Sequence, residues 1–235
     1  MQENKISKEP VQQLETDIVK AVTIDCVVFG FDNDDLEVLL VKHTDGIRKG
    51  EWALPGGWIL KNEPINDAAY RLLEQLTGVK NIYLEQLQAF GEPDRYPLRR
   101  VITIGYYALI KKAAFSITPD SAKWFKIDAV PELIYDHSTI LKFSLKNLRR
   151  LVRLEPIGFN LLPEKFTLLQ LMKLYEAILN IEMDKSNFRR KFQRMNLLTP
   201  LNEKQSDVSH RAAQLYSFNL KVYNALTENG FSFEF

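Results

Sequence analysis

Two kinds of hydrophobic pattern divide the chain. Up to about residue 150, apolar residues come mainly in short β-branched and aromatic runs separated by turn chemistry; beyond residue 155 they recur mainly at helical spacing. The run 21–31, the turn cluster Asp32-Asn33-Asp34-Asp35 and the run 36–42 predict a hairpin. Further strands are expected at 83–90, 101–111 and around 124–127. A helix is predicted over 64–77, with Pro64 in its first turn, Gly78 ending it and Ala68, Leu72, Leu73 and Leu76 as its apolar stripe. A second over 138–152 buries Ile140, Leu141, Phe143, Leu145, Leu148 and Leu151. Mixed strands with two helices predict an α/β domain.

Past Glu155-Pro156-Ile157-Gly158, Thr167 with Gln170 forms a capping-box signature opening a helix to about Leu179. Asp184 is placed to cap a second helix to about Met195 after a short connection, the layout of a helix-turn-helix. Strands at 197–200 and 212–218 around a polar loop, then a helix over 219–227, complete a winged helix. The expected division is 1–154 for the first domain and 155–235 for the second.

Composition removes several alternatives. The 235 residues allow one large domain or two modest ones, and 46% hydrophobic with 26% charged residues excludes general disorder. No apolar run approaches the roughly 18 residues of a membrane span, and the polar first 17 residues lack a signal sequence's apolar stretch, so a cytoplasmic location is expected. The single Cys26 lies in an apolar run, which excludes an intramolecular disulfide and favours a buried structural thiol. A net charge of +1 argues against nucleic acid at first sight. Averaging hides a cluster, however: Lys185, Arg189, Arg190, Lys191 and Arg194 share one acid-free stretch.

The phrase Trp52-Ala53-Leu54-Pro55-Gly56-Gly57, followed by Glu63, Arg71 and Gly78-Val79, resembles the Nudix box, G-x5-E-x7-R-E-U-x-E-E-x-G-U with U apolar. Gly57, Glu63, Arg71, Leu73, Gly78 and Val79 match; Leu72, Gln75 and Leu76 stand where that pattern has glutamates. In the family those carboxylates hold the divalent cation that polarises a diphosphate and activates water. Two leucines and a neutral amide cannot replace them, so the resemblance implies a Nudix-like fold that is not an enzyme, with no catalytic residues, no metal and no cofactor. Its cleft would bind a small effector, flanked by Lys42, Trp58, Glu63, Arg95, Arg99, Arg100 and Tyr106. Asp136 and His137 lack a neighbouring nucleophile signature and are read as structural hydrogen-bond partners at the start of the second helix.

Further phrases, among them Trp124-Phe125, Pro131-Glu132-Leu133, Asp136-His137, Leu161-Leu162-Pro163, Phe166-Thr167-Leu168 and Asn187-Phe188-Arg189-Arg190-Lys191, are similar to the Nudix-related transcriptional regulators. These join a Nudix-like effector domain to a C-terminal winged helix-turn-helix. Some of that family respond to ADP-ribose; others, with degenerate boxes, control sugar utilisation, so the resemblance implies a repressor answering to a pentose such as L-arabinose. It also implies a homodimer on a double-stranded operator, with no membrane partner. On the second helix of the motif, Phe188, Phe192 and Met195 form one stripe. The opposite face places Ser186, Arg190 and Gln193 toward base edges, with Asn187 beside them. Phosphates fall to Lys185, Arg189, Lys191, Arg194 and the wing residues Lys204 and Arg211. Two rival readings remain open: a Nudix hydrolase of ADP-ribose or a related nucleoside diphosphate derivative, with metal ligands relocated to Glu63, Glu74 and Glu85, and a protein-binding adaptor.

Overall fold

The computed structural model describes residues 19–80, 82–112, 122–206 and 212–235. The first half is a seven-stranded mixed sheet. Strands β1 (Val22–Asp32) and β2 (Asp35–Lys42) form the expected hairpin, with Asn33 and Asp34 both at positive φ, 47° and 66°. That is the two-residue turn whose twist suits antiparallel strands. Strands β3 (Trp52–Ala53) and β4 (Gly56–Trp58) hold the two ends of the glycine-rich phrase, on β2 and β1 respectively. Helix α1 (Ile65–Thr77) follows, ended by Gly78 at φ 67°. Strands β5 (Tyr83–Phe90), β6 (Ile102–Ile110) and β7 (Ala122–Lys126) complete the sheet, in the order β3-β2-β1-β6-β5 with β4 on β1 and β7 on β2. The β1–β6 pair is parallel, so the central strands are covered on both faces.

Alternation along β1 sorts the core. Ile24, Cys26 and Val28 pack with Ala68, Ala69 and Leu73 of α1, while Val27 and Phe29 face the other side, against helix α2 (His137–Leu154). Cys26 is buried there, and burial pushes its thiol well above the usual range.

The winged helix packs on that second face. A 3-10 turn, Pro156–Leu161, leads to β8 (Phe166–Thr167), α3 (Leu168–Leu179), α4 (Lys185–Met195), β9 (Leu198–Lys204), β10 (Gln214–Phe218) and α5 (Leu220–Glu228). Thr167 and Gln170 make both bonds of the capping box, and Asp184 accepts from the Asn187 N–H. The two-residue β8 is too short to leave a period in the sequence, yet it pairs with β10 and makes the wing a three-stranded sheet. One apolar core runs from Val27 and Tyr107 through Leu148, Ile157 and Leu161 to Leu174, Phe188 and Phe192, so the winged helix rests directly on the sheet domain. Among the described residues no helix is long and apolar enough to cross a membrane.

Candidate functional site

The glycine-rich phrase is fastened from two sides. A Cβ on Gly56 would lie 2.3 Å from the Ile24 carbonyl oxygen, so only glycine lets β4 approach β1 this closely. The Cys26 N–H donates to the Pro55 oxygen at 2.7 Å, the Ile134 N–H to the Trp52 oxygen at 3.0 Å, and the Leu54 N–H to Nδ1 of His137 at 3.0 Å. The phrase is thereby tied to the segment that opens α2.

Beneath it lies a buried charge network. Arg95 donates to Asp136 through Nε (2.9 Å) and Nη2 (2.7 Å), and through Nη2 to Asp25 at 3.0 Å. Its side chain is only 5% exposed. Nε2 of His137 lies 3.6 Å from the Asp25 carboxylate. Because Nδ1 accepts from a backbone N–H, His137 is the neutral tautomer protonated on Nε2. Burial pushes its pKa down, while Asp25 and Asp136 pull it up and Arg95 and His43 reinforce the lowering. The unfolded chain therefore binds more protons near the ordinary imidazole pKa of 6.5. The His137 contribution to stability is complete above that value and is lost as pH falls below it. Wild-type thermal stability should decline between pH 7 and 5, and a His137→Asn variant should decline less, as followed by circular dichroism melting at each pH.

Asp25 was not among the expected site residues, although it is the one charge inside an otherwise apolar run, a signal for a partnered buried carboxylate. Conversely, Arg95 was expected to flank the cleft and instead spends its guanidinium inside the protein. Asp136 and His137 have the hydrogen-bonding role expected of them, toward Arg95 and Leu54; Asp136 does so without a side-chain cap on α2.

The remaining cleft residues separate. Glu63 accepts from Nε (2.8 Å) and Nη2 (2.7 Å) of Arg71 and from the Leu60 N–H at 2.6 Å; the Arg71 bonds hold its carboxyl down at about 2. Arg71 also donates to the Trp58 carbonyl, so Glu63 and Arg71 form a clamp on the loop rather than a free catalytic pair. Trp58 is 45% exposed, with the Arg99 guanidinium 4.7 Å from its ring centre. Arg100 is exposed nearby in sequence. Tyr106 is buried, on the α1 side of the sheet, and its hydroxyl lies 2.5 Å from Oδ1 of Asn66 and 3.0 Å from Oε1 of Gln86. Lys42 sits 4.0 Å over the Trp52 ring. Trp58, Arg99 and Arg100 are thus exposed, Arg95 and Tyr106 are buried among other partners, and Lys42 is partly buried against the Trp52 ring. Asn66 and Gln86 had no sequence signal.

The box positions do not suit a divalent cation. Leu72 and Leu76 are partly buried against the α1 core, Leu72 so near Gly57 that a Cβ there would lie 2.7 Å from it. Gln75 and Glu74 are exposed, and Glu74 pairs with Lys80 at 3.2 Å. Glu63, Glu74 and Glu85 have separate partners in Arg71, Lys80 and Tyr83. Among the described residues no three His, Cys, Asp or Glu side chains gather as a metal site.

The second site is on the winged helix. Phe188 and Phe192 are buried against Tyr175 of α3, with ring centres 6.1 and 5.7 Å away, and Met195 is partly buried. That packing turns Lys185, Ser186, Asn187, Arg189, Arg190, Lys191, Gln193 and Arg194 outward, all exposed. Arg190 donates to Asn187, and the Lys191 ammonium lies 4.9 Å from the Phe235 ring centre. A groove of about 670 Å³ between α3, α4 and the wing is lined by Thr167, Leu169, Lys185, Arg189, Lys204 and Gln205. The expected wing residue Arg211 lies outside the described residues.

Fold and sites define a Nudix-like domain carrying a winged helix with a basic second helix. Residues 19–144 match the Nudix domain model, and residues 158–218 match the NrtR DNA-binding winged helix domain. The chain belongs to the Nudix family. It is 29% identical over 210 residues to the ADPR responsive transcriptional repressor NtrR of Acinetobacter baylyi, spanning 86% of this chain and 84% of that protein. The ADP-ribose pyrophosphatase of Methanocaldococcus jannaschii is 27% identical over 58% of this chain and 80% of its own length. Among solved structures, Shewanella oneidensis NrtR complexed with a 27mer DNA superposes with a TM-score of 0.78 at 27% identity, covering 86% of this chain and 95% of that one.

Proposed function

We propose that the chain is a DNA-binding transcriptional repressor whose Nudix-like domain binds ADP-ribose, or a closely related nucleoside diphosphate sugar, without hydrolysing it, and that ligand binding changes operator affinity. The observation that carries this reading is the exposed basic face of α4, set in a winged helix seated on the Nudix-like core. The Acinetobacter and Shewanella relatives support the DNA-binding half. For the effector, the Acinetobacter relative points to ADP-ribose, and neither relative supports the pentose expected from the broken box. A Trp58 face with the Arg99 guanidinium over it, and an exposed Arg100 next in the chain, suits a base and a diphosphate better than a neutral sugar. Leu72, Gln75 and Leu76 favour binding over turnover.

The ligand acts by preferring one of two states, and the cross-links from the glycine-rich phrase to α2 give such a preference a route to the winged helix. We also assign a homodimer, matching a two-fold operator, and a division between the two domains at 154/155. The test is a melting panel with ADP-ribose, L-arabinose and other pentoses. Ligand at a hundredfold excess over its dissociation constant stabilises the native state by about 2.7 kcal/mol, roughly 5–10 °C for a chain of this size. ADP-ribose should produce that shift and survive unconsumed with magnesium present; a pentose-only shift, or release of phosphate-containing products, would replace this reading.

A further inference from the structure

Helix α2 presents a second basic surface that the DNA-reading motif does not use. Lys142, Lys146, Arg149, Arg150 and Arg153 fall on one stripe at about 100° per residue, opposite the buried Ile140, Leu141, Leu148 and Val152. Residues 137–154 contain no Asp or Glu. Among the described residues none of the five cations pairs with a carboxylate: Arg150 donates to Oδ1 of Asn147, and Nε of Arg149 to the Ile178 carbonyl. Lys142, Lys146, Arg150 and Arg153 are exposed.

The stripe's position gives it a partner. The Arg149 bond anchors it to the last turn of α3, beside the connection to α4. At its far end the Arg153 carbonyl accepts from the Phe235 N–H, and the Phe235 ring packs on Phe188 and Phe192 of α4, both at 5.6 Å. The stripe is thus joined to both helices of the motif, to α3 through Arg149 and to the helix that would read DNA through Phe235. A groove of about 730 Å³ runs along it between Lys142, Lys146, Arg150 and the exposed Phe143 and Leu154. A second copy meeting this face across a two-fold axis would set like charges against each other, whereas a polyanion would neutralise them.

We propose that this face of α2 contacts the phosphate backbone of duplex DNA outside the segment entered by α4, so that one chain holds DNA at two places. The inference rests on the proposed DNA-binding function, and the experiment separates the two. Affinity of the full chain for a fluorescein-labelled, mixed-sequence 40-base-pair duplex is measured by anisotropy across a salt series, for wild type, Lys142→Gln/Lys146→Gln/Arg150→Gln and Arg190→Gln/Arg194→Gln. Each phosphate contact contributes about 0.9 to the slope of log affinity against log salt, so the triple α2 variant should lose roughly 2–3 units of slope with unchanged melting. A wild-type slope in the α2 variant, with a reduced slope in the α4 variant, would overturn the α2 surface alone and leave an acidic protein as its partner class. A wild type that binds no duplex, or a slope that neither variant changes, would overturn both readings.

Discussion

A chain carrying Arg190→Glu and Arg194→Glu is expected to lose operator binding by about 10²–10⁴-fold while remaining folded. Each contact between an arginine and a base or phosphate contributes roughly 1–3 kcal/mol, and reversal adds repulsion from the DNA to the loss of both contacts. The cost to the fold is small by comparison. Both side chains are exposed, and the described partner of Arg190 is Asn187 in the preceding turn of the same helix. A glutamate at 194 also opposes the helix dipole at the last turn, by about 0.3–1 kcal/mol. The measurement is an operator duplex selected by the wild-type chain from a randomised library, titrated with both proteins beside their melting curves. Retained affinity would remove α4 as the reading helix, and a matching loss of melting temperature would show that the charges hold the fold instead.

The second large effect belongs to Arg95. Truncating it to methionine leaves Asp25 and Asp136 facing each other without their shared cation, with their side chains 10% and 22% exposed. Breaking a buried ion cluster by removing one partner costs about 3–5 kcal/mol, which for a chain of this length lowers the melting temperature by roughly 6–20 °C. Replacing all three, as Arg95→Met with Asp25→Asn and Asp136→Asn, removes the stranded charges and should recover a substantial part of the loss. Were Arg95 an effector ligand instead, its methionine variant would keep its stability and lose the ADP-ribose shift, so melting with and without ligand distinguishes the two roles.

Arg95 shows where reading the chain in one dimension stops. Its loop carries three arginines toward a strand, a pattern that looks like a cationic cleft wall. Folding takes Arg95 to the α2 side of the sheet, puts Arg99 over Trp58, and leaves Arg100 exposed. Tyr106 is turned the opposite way from Arg95 by strand parity, since it is paired with Cys26 on the α1 face while Asp25 faces α2. The seven residues expected around one cleft are therefore not gathered there: Arg95 and Tyr106 lie on opposite faces of the sheet, and Trp58, Arg99 and Arg100 remain exposed. Asp25 is 70 residues from Arg95 and 111 from Asp136, separations that no local pattern spans.

The sequence by itself determined several features set by neighbours within a few residues. The Asn33-Asp34 turn, the Gly78 helix stop, the Thr167 capping box, the Asp184 cap and the outward basic face of α4 all follow from backbone sterics and the 3.6-residue period. It also determined that the box had exchanged oxygen ligands for leucines. Only the tertiary structure decided which side of the sheet each cleft residue occupies, that Arg95 belongs to a buried network, and that the winged helix shares a core with the sheet. These depend on strand parity, loop paths and the burial of charge among distant partners, which act only once the chain has closed on itself.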